Sequence, residues 1–315
     1  MRFLVVGAGA TGGYFGARLA HAGRDVSFLV RPARAEQLRC NGLELLTPSG
    51  NLHLEPRLVT TANLKADYDA VILAVKAYGL DAALADMAPA IGERAVIVPF
   101  LNGMRHIDAL TARFGQGPVL GGVCLVSTQL DAKGRIVALS DMQELVYGER
   151  DGKSSERVAA LDVALQNAGF AARSSSDIIA EMWSKWVSLA ALGAITCLMR
   201  GNVGEIAAAP NGADLARQML DECAAIATAA GHAPPPAVLE RMGRMLTDAG
   251  STLAASMYRD LQQGRRIEAD QVVGDLLAHA RQFGVAAPLL TAAFAHLRVY
   301  DDRVGQPDRI AATAR

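Results

Sequence analysis

The stretch FLVVGAGATGG, residues 3–13, decides the fold, because a short apolar run passes directly into a glycine-rich turn. Gly7, Gly9 and Gly12 have the G-x-G-x-x-G spacing, and the helical pattern YFGARLAHAG follows them. In such a turn the first glycine permits a tight bend, the second lets a pyrophosphate approach the backbone, and the third lets the helix pack on the strand. The stretch therefore predicts a dinucleotide-binding strand, turn and helix, in preference to a glycine turn without a ligand.

Further apolar runs predict the rest of the first half. Short runs rich in Val, Ile and Leu, typical of strands buried on both faces of a parallel sheet, occupy residues 3–6, 26–30, 70–75 and 95–98. Between the second and third runs, GLELLTPSGNLHLEPRLV (42–59) predicts a hairpin beside the sheet. A second insertion at 119–148 predicts antiparallel strands, with RIVAL and ELVYG as separate strands. The first half is therefore a predicted α/β, Rossmann-like doubly wound sheet.

The pattern changes near residue 177 and is helical from there to the end of the chain. Strand-like runs are absent, and the helical pattern is broken at Gly201, 232–236, Gly250 and 284–288. Serines up to Ser176 can cap the incoming helix. We therefore predict an α/β domain at 1–176 and an all-α domain at 177–315.

Composition restricts the partners of the chain. Its net charge of −1, spread along 315 residues, lacks the basic stripe that nucleic acid binding requires. No apolar run reaches the roughly 18 residues of a membrane span, and the apolar start is too short for a signal peptide. The four cysteines have no metal-ligand spacing, so we expect reduced, mostly buried thiols, no metal site, and a soluble cytoplasmic protein.

The residue closing the second predicted strand indicates the cofactor. An acidic residue at this place binds the ribose 2′-hydroxyl of NAD, whereas an arginine accommodates the 2′-phosphate of NADP. The chain has Arg31 there, with Arg34 close by and no acidic residue at the strand end. NADP(H) is therefore the predicted cofactor, and the alternative is that both arginines are solvated surface charges.

Several polar residues are candidates for the reaction itself. Lys76 and Asn102 follow the third and fourth runs, at the sheet edge where open α/β sheets bind ligands. Lys185 lies between the only two tryptophans, at the head of an apolar run. A lysine in that place either snorkels to water or has a chemical task. Ser256 and Glu268, in SMYRDLQQGRRIEAD, could equally be surface groups on their chemistry alone.

Five segments together resemble one family. GAGATGGYFGARLAHAGRDVSFLVR, AVILAVKAY, LNGM, WSKW and SMYRDLQQGRRIEAD are similar, in order and spacing, to segments of the ketopantoate reductases (2-dehydropantoate 2-reductases). The resemblance covers nearly the whole chain. It implies an NADP-dependent Rossmann domain and a helical domain like that of 6-phosphogluconate dehydrogenase, with the active site in the cleft between them. The family often forms dimers, so a homodimer is the expectation.

The resemblance also implies roles for individual residues. Lys185 matches the catalytic lysine, Glu268 its partner, Ser256 a serine that holds the substrate carboxylate, and Asn102 an asparagine beside substrate and nicotinamide. Lys76 matches a lysine on the cofactor side of the cleft. Reduction of a ketone leaves negative charge on its oxygen, which an ammonium group both stabilises and protonates.

The chain departs from the family at two positions. Leu189 and Gly193 stand where the family usually has substrate-binding asparagines, four and eight residues after the lysine. We expect leucine to make the wall more apolar and glycine to leave more room. Three functions follow: NADPH-dependent reduction of ketopantoate or a related 2-oxo acid, reduction of a less polar ketone by a paralogue, or non-catalytic sensing of NADP(H). Retention of both Lys185 and Glu268 argues against the sensor.

Overall fold

The computed structural model describes residues 1–305 of the chain. The chain divides into a first unit, residues 1–101 and 106–179, and a second unit, residues 102–105 and 180 onward. The main division falls a few residues after the predicted boundary at Ser176. The prediction of a continuous first domain also did not foresee that residues 102–105, which follow a strand, group with the helical unit.

The first unit contains two sheets. Its strands are β1 (Arg2–Val6), β2 (Asp25–Leu29), β3 (Leu43–Leu46), β4 (Leu52–Leu54), β5 (Arg57–Val59), β6 (Ala70–Leu73), β7 (Val96–Pro99), β8 (Gly121–Leu130), β9 (Ile136–Gly148) and β10 (Ala171–Ser174). The first sheet has the order β5-β2-β1-β6-β7, with every neighbouring pair parallel. The four predicted parallel strands are confirmed, and their apolar runs are buried along nearly their whole length.

The second sheet joins the two predicted insertions. Its order is β10-β9-β3-β4, and β8 pairs antiparallel with β9. The predicted hairpin is confirmed as β3 and β4, but β3 also pairs in parallel with β9 through Leu45 and Ile136. The prediction of two separate strands in 135–148 is wrong, because β9 continues through the polar residues between them. It pairs with β8 on both sides of a bulge, since Thr128 lies opposite Ala138 and Val126 lies opposite Gln143, and residues 139–142 between them have no partner in β8.

Helices pack on these sheets and build the second unit. They are α1 (Ala10–His21), α2 (Pro32–Asn41), α3 (Leu80–Met87), α4 (Arg105–Phe114), α5 (Glu156–Leu165), α6 (Ile178–Met199), α7 (Val203–Ala208), α8 (Gly212–Ala229), α9 (Pro236–Leu246), α10 (Ser256–Gln262), α11 (Asp275–Phe283) and α12 (Pro288–Gly305). A π-helix at Asp270–Gly274 precedes α11. The predicted helical breaks fall between these helices or at their ends, so the prediction of an all-α second half is confirmed.

Helix α1 packs closely on both sheets of the first unit. A Cβ at Gly13 would lie 2.4 Å from Ile136 of β9, and a Cβ at Gly16 would lie 2.4 Å from Phe28 of β2. Tyr14, fully buried, donates a hydrogen bond to the Gln143 side chain of β9. The absence of side chains on one face of α1 therefore fixes its position, and with it the position of the glycine turn before it.

Helix α6 is the longest apolar segment of the described residues. Its 22 residues are long and apolar enough to cross a membrane, yet 67% of its apolar window is buried inside the protein, as in a core helix. The expectation that the chain does not enter a membrane stays a prediction. Three of the four cysteines are buried and Cys40 is exposed. Burial raises the pKa of the Cys197 thiol to about 12, so this cysteine packs as a small hydrophobe.

Candidate active site

The glycine turn between β1 and α1 has the geometry of a phosphate cradle. Gly7 has φ +97°, and a Cβ at Gly12 would lie 2.1 Å from the Gly7 carbonyl oxygen. By contrast, a Cβ at Gly9 would have no atom within 4 Å. Gly9 precedes α1, which starts at Ala10 without a side-chain cap. Open space beside the uncapped start of a helix fits a phosphate group, so the three glycines suit their predicted tasks.

Arg31 and Arg34 have different surroundings. The Arg34 guanidinium donates from Nε to the Ala8 carbonyl of the glycine turn (3.0 Å) and from Nη1 to the Gly134 carbonyl (3.1 Å). Burial lowers its pKa, so for Arg34 the alternative of a solvated surface charge is wrong. Arg31 is exposed at the start of α2, with Nη2 3.7 Å from where a Cβ at Gly79 would lie. Arg34 therefore braces the glycine turn, while Arg31 remains accessible to a ligand.

Lys76 lies at the same sheet edge as the glycine turn. It follows β6 and is exposed, immediately before the 3-10 turn at Ala77–Gly79. Strand β6 pairs in parallel with β1 up to Val6 and Leu73, so the segments leaving both strands begin side by side. The first unit thus brings Lys76, Arg31 and the glycines to one edge of its sheet.

In the second unit, Lys185 is partly exposed on α6 between two buried tryptophans. Trp183 is 4% exposed and stacks on the His232 ring, with centroids 4.7 Å apart. Trp186 is 1% exposed, and its Nε1 donates to the Val272 carbonyl of the π-helix at 2.9 Å. Each indole therefore has its own partner in the core. Together they fix the rotation of α6 and so the direction in which Lys185 leaves the helix.

Glu268 is a buried carboxylate, 6% exposed, just before the π-helix. Residues before and after Glu268 are hydrogen-bonded to α12. The Ile267 amide donates to Asp301 Oδ1 (3.2 Å), and Arg298 Nη1 donates to Asp270 Oδ2 (2.9 Å). A π-helix is rare and frequently marks a functional site. The sequence gives no sign of this π-helix, because its residues carry no distinct pattern.

Three segments that carry predicted site residues meet at one point, which we name the junction: Gly103, Trp186 and the π-helix residues Gln271 and Val272. Gly103 has φ +78°, and a Cβ there would lie 2.7 Å from the Gln271 carbonyl oxygen and 3.8 Å from Trp186 Nε1. Asn102 precedes Gly103, Lys185 precedes Trp186, and Glu268 precedes the π-helix. The structure therefore packs together the segments of all three predicted residues.

A second contact brings Ser256 towards α6. Ser256 is exposed at the first position of α10, and the next residue, Met257, is 5% exposed. A Cβ at Gly193 would lie 2.9 Å from the Met257 methyl carbon. The expectation that Gly193 leaves more room is therefore wrong, since the Met257 side chain fills that space. Leu189, partly exposed, lies on α6 between Lys185 and Gly193.

Asp275 is an unusual charge beside the junction, at the start of α11. Its Oδ2 is buried without a hydrogen-bond partner, and Arg105 Nη1 lies 3.7 Å from its Oδ1. Burial raises the pKa of this carboxyl group above its ordinary value, Arg105 opposes the rise, and Asp270 adds to it. The ionised form of Asp275 therefore costs free energy in the folded protein.

We expect Asp275→Asn to raise the melting temperature at neutral pH. A carboxyl whose pKa is higher in the folded state contributes stability that is complete below its unfolded pKa and is lost as pH rises through the folded value. The gain from the amide should therefore shrink as pH falls through the acidic range. Thermal unfolding across pH measures this, with the exposed Asp221→Asn as control. A gain that is independent of pH would contradict the assignment.

Comparison with known proteins gives one family. Residues 3–152 match the family described as ketopantoate reductase PanE/ApbA, and residues 177–301 match its C-terminal family. The chain is 38% identical over 301 residues to the uncharacterized oxidoreductase YkpB of Bacillus subtilis, covering 96% of this chain and 99% of that protein. It is 30% identical over 319 residues to the 2-dehydropantoate 2-reductase of Mesorhizobium japonicum, covering 95% and 97%.

The fold is shared with more distant proteins. A ternary structure of D-mandelate dehydrogenase with NADH and anilino(oxo)acetate superposes with a TM-score of 0.87, covering 97% of this chain and 100% of that one. The two chains are 20% identical. Proteins with little sequence identity to this chain therefore share its combination of a Rossmann-like unit and a helical unit.

Proposed function

Because the chain belongs to the ketopantoate reductase PanE/ApbA family, we propose that it reduces a 2-oxo acid to the 2-hydroxy acid with NADPH as the reductant. The observation that carries the proposal is the junction. It packs together the segments of Lys185, Glu268 and Asn102 through a buried indole hydrogen bond and a close backbone approach. A protein that only binds NADP(H) does not need a partly exposed lysine and a buried carboxylate on two segments that the junction packs together.

In the proposed reaction, Lys185 is the general acid. Bound NADPH supplies a hydride to the C2 carbon of the oxo acid. The Lys185 ammonium donates one proton to the ketone oxygen as negative charge develops there, and afterwards regains a proton from water. Two electrons and two hydrogens are thus added to the C=O group, which gives the 2-hydroxy acid and NADP⁺. Glu268 orients the ammonium group.

The first unit would hold the cofactor. Gly9 leaves space for the pyrophosphate at the start of α1, and Gly7 and Gly12 permit the turn. Arg31 would contact the 2′-phosphate, and Lys76 would contact the cofactor from the neighbouring strand end. The exposed position of Arg31 supports NADP(H) over NAD(H).

The second unit would hold the substrate. Ser256 would bind the carboxylate, and Asn102 would bind near the ketone. Ketopantoate is one candidate, because the family includes named 2-dehydropantoate 2-reductases. A less polar 2-oxo acid or ketone is the second, and Leu189 in place of an amide favours it.

The test is oxidation of NADPH or NADH by the purified protein with ketopantoate and with 2-oxo acids of different size and polarity. We expect turnover with at least one 2-oxo acid, and a higher kcat/KM with NADPH than with NADH. Binding of NADPH without turnover on any 2-oxo acid would contradict the proposal and favour the sensor.

Arg31→Ala should weaken NADPH binding selectively. A charge-assisted hydrogen bond to phosphate is worth ~1.5–3 kcal/mol, so the dissociation constant should rise about 10–100-fold. NADH lacks the 2′-phosphate, so its affinity should change little. Titration of cofactor fluorescence measures both constants, with exposed Arg39→Ala on the same helix as control. Equal losses for NADPH and NADH would show that Arg31 does not contact the phosphate.

A further inference from the structure

One face of α6 changes from charged to apolar within two helical turns. Lys185, Leu189 and Gly193 are four residues apart, so they follow each other on the same side at steps of about 6 Å. Lys185 and Leu189 are partly exposed, whereas Gly193 is buried. Leu189 is therefore the apolar side chain that this face presents next to the lysine.

Met257 closes the far end of this face. A Cβ at Gly193 would lie 2.9 Å from its methyl carbon, a separation shorter than real Cβ contacts, so this methyl occupies the place of a side chain at 193. Met257 is 5% exposed and follows Ser256 directly. The segment that places the Met257 side chain against Gly193 of α6 therefore also carries the Ser256 hydroxyl, one residue earlier.

A substrate lying along this face would meet no hydrogen-bond donor or acceptor from the side chains of Leu189, Gly193 or Met257. The polar side chains that the proposed function uses nearby are Ser256 and Asn102, assigned to the carboxylate and the ketone. A hydroxyl group on the rest of the substrate would lose water at these three positions without gaining a partner from them, which is unfavourable. An alkyl group there would gain contacts and lose nothing.

We infer that the substrate is a 2-oxo acid whose C3 substituents are all apolar, without the terminal hydroxyl of ketopantoate, and that Leu189 and Met257 select it. The inference rests on the proposed function, since it concerns the substrate of the same site. It assigns Met257, which no sequence pattern indicated, as a specificity-determining residue. Met257 is a flexible thioether, so the wall that it forms beyond Leu189 can adapt to branched or linear alkyl groups of different shape.

A matched pair of substrates tests this. Ketopantoate carries a hydroxyl at the end of its C3 branch, and 3,3-dimethyl-2-oxopentanoate carries a methyl group at that place with nearly the same shape. An apolar pocket disfavours such an added hydroxyl by about 10²-fold, whereas a site built to bind it rejects the methyl analogue by about 10⁴-fold or more. We expect kcat/KM to favour the methyl compound about 10²-fold.

Variants show which residues set the preference. Leu189→Asn should shift the ratio of kcat/KM values towards ketopantoate by about tenfold or more, because it places an amide beside the lysine. Ser188→Asn puts the same amide about 100° away around the helix and should leave the ratio unchanged. Met257→Ala should open the space at Gly193 and raise kcat/KM for 2-oxooctanoate relative to 2-oxopentanoate.

The outcomes separate the inference from the proposed function. Turnover of both compounds with a preference for ketopantoate would overturn the inference and leave the proposed function standing. An equal shift in Leu189→Asn and Ser188→Asn, or an unchanged chain-length ratio in Met257→Ala, would also overturn the assigned residues. Lack of turnover on every 2-oxo acid would instead overturn the proposed function.

Discussion

Lys185→Ala is expected to lower kcat by on the order of 10²–10⁴-fold, the contribution of a positioned general acid. The ammonium group is the proposed proton donor, and Asn102 does not carry a proton that it can give up. The dissociation constant for NADPH should stay within about twofold, because the glycines, Arg31 and Lys76 proposed to hold the cofactor lie in the first unit, whereas Lys185 lies in the second. Steady-state kinetics and cofactor titration measure the two effects separately.

Two further variants make this prediction specific. Lys153→Ala removes an exposed lysine, 81% of whose side chain is accessible, and should leave kcat unchanged. Lys185→Arg keeps the positive charge but presents a guanidinium that does not deprotonate, so kcat should remain low. If Lys185 merely extends along its tryptophan neighbours to water, Lys185→Ala will retain the wild-type turnover, and the proposed mechanism is then wrong.

Gly9→Ala and Gly12→Ala should affect different properties, although both residues lie in the same turn. Gly12→Ala should lower stability, and Gly9→Ala should lower the affinity for NADPH. A Cβ at Gly12 would lie 2.1 Å from a backbone oxygen that cannot move alone, so we expect a loss of stability of at least ~1–3 kcal/mol. A Cβ at Gly9 meets nothing within 4 Å, so stability should change by less than ~1 kcal/mol. That Cβ would instead enter the space proposed for the pyrophosphate, and NADPH affinity should fall about tenfold or more, at least ~1.4 kcal/mol.

Thermal unfolding and NADPH titration of the same two variants distinguish the two effects. A folded Gly9→Ala protein that binds NADPH as tightly as the wild type would show that the phosphate does not lie at Gly9. A Gly12→Ala protein with unchanged melting temperature would show that the helix start can shift, contrary to the packing of α1 on both sheets.

The parallel strands could be predicted because their signal is local. Each buried strand is a continuous apolar run, and the glycine turn is defined by spacing within six residues. Strand β9 could not be read this way, because its two stretches paired with β8 are separated by a bulge at 139–142, which in the sequence resembles a break between two strands. Residues 102–105 likewise group with the second unit through Gly103, whose close neighbour Gln271 is far along the chain.

The candidate site was predictable as a set of residues but not as an arrangement. Lys185, Glu268 and Asn102 came from matched segments, whereas the contacts that join those segments involve Trp186, the π-helix and Gly103. Gly193 was expected to open space, and only the structure reveals that Met257 fills it. Arg34 was expected beside the cofactor phosphate or in solvent, and its bonds to backbone carbonyls depend on a hairpin about a hundred residues later, as the contact with Gly134 shows.

Transfer of deuterium from NADPH to the product tests most directly whether this chain reduces a 2-oxo acid by hydride addition with Lys185 as the acid. The protein would be incubated with 3,3-dimethyl-2-oxopentanoate, or with ketopantoate, and NADPH deuterated at both C4 positions, and the product analysed by mass spectrometry and NMR. We expect a 2-hydroxy acid with one deuterium on C2, formed by the wild type and, in the same time, about 10²-fold less or lower still by Lys185→Ala. A product without deuterium at C2, or no product from either acid, would contradict it.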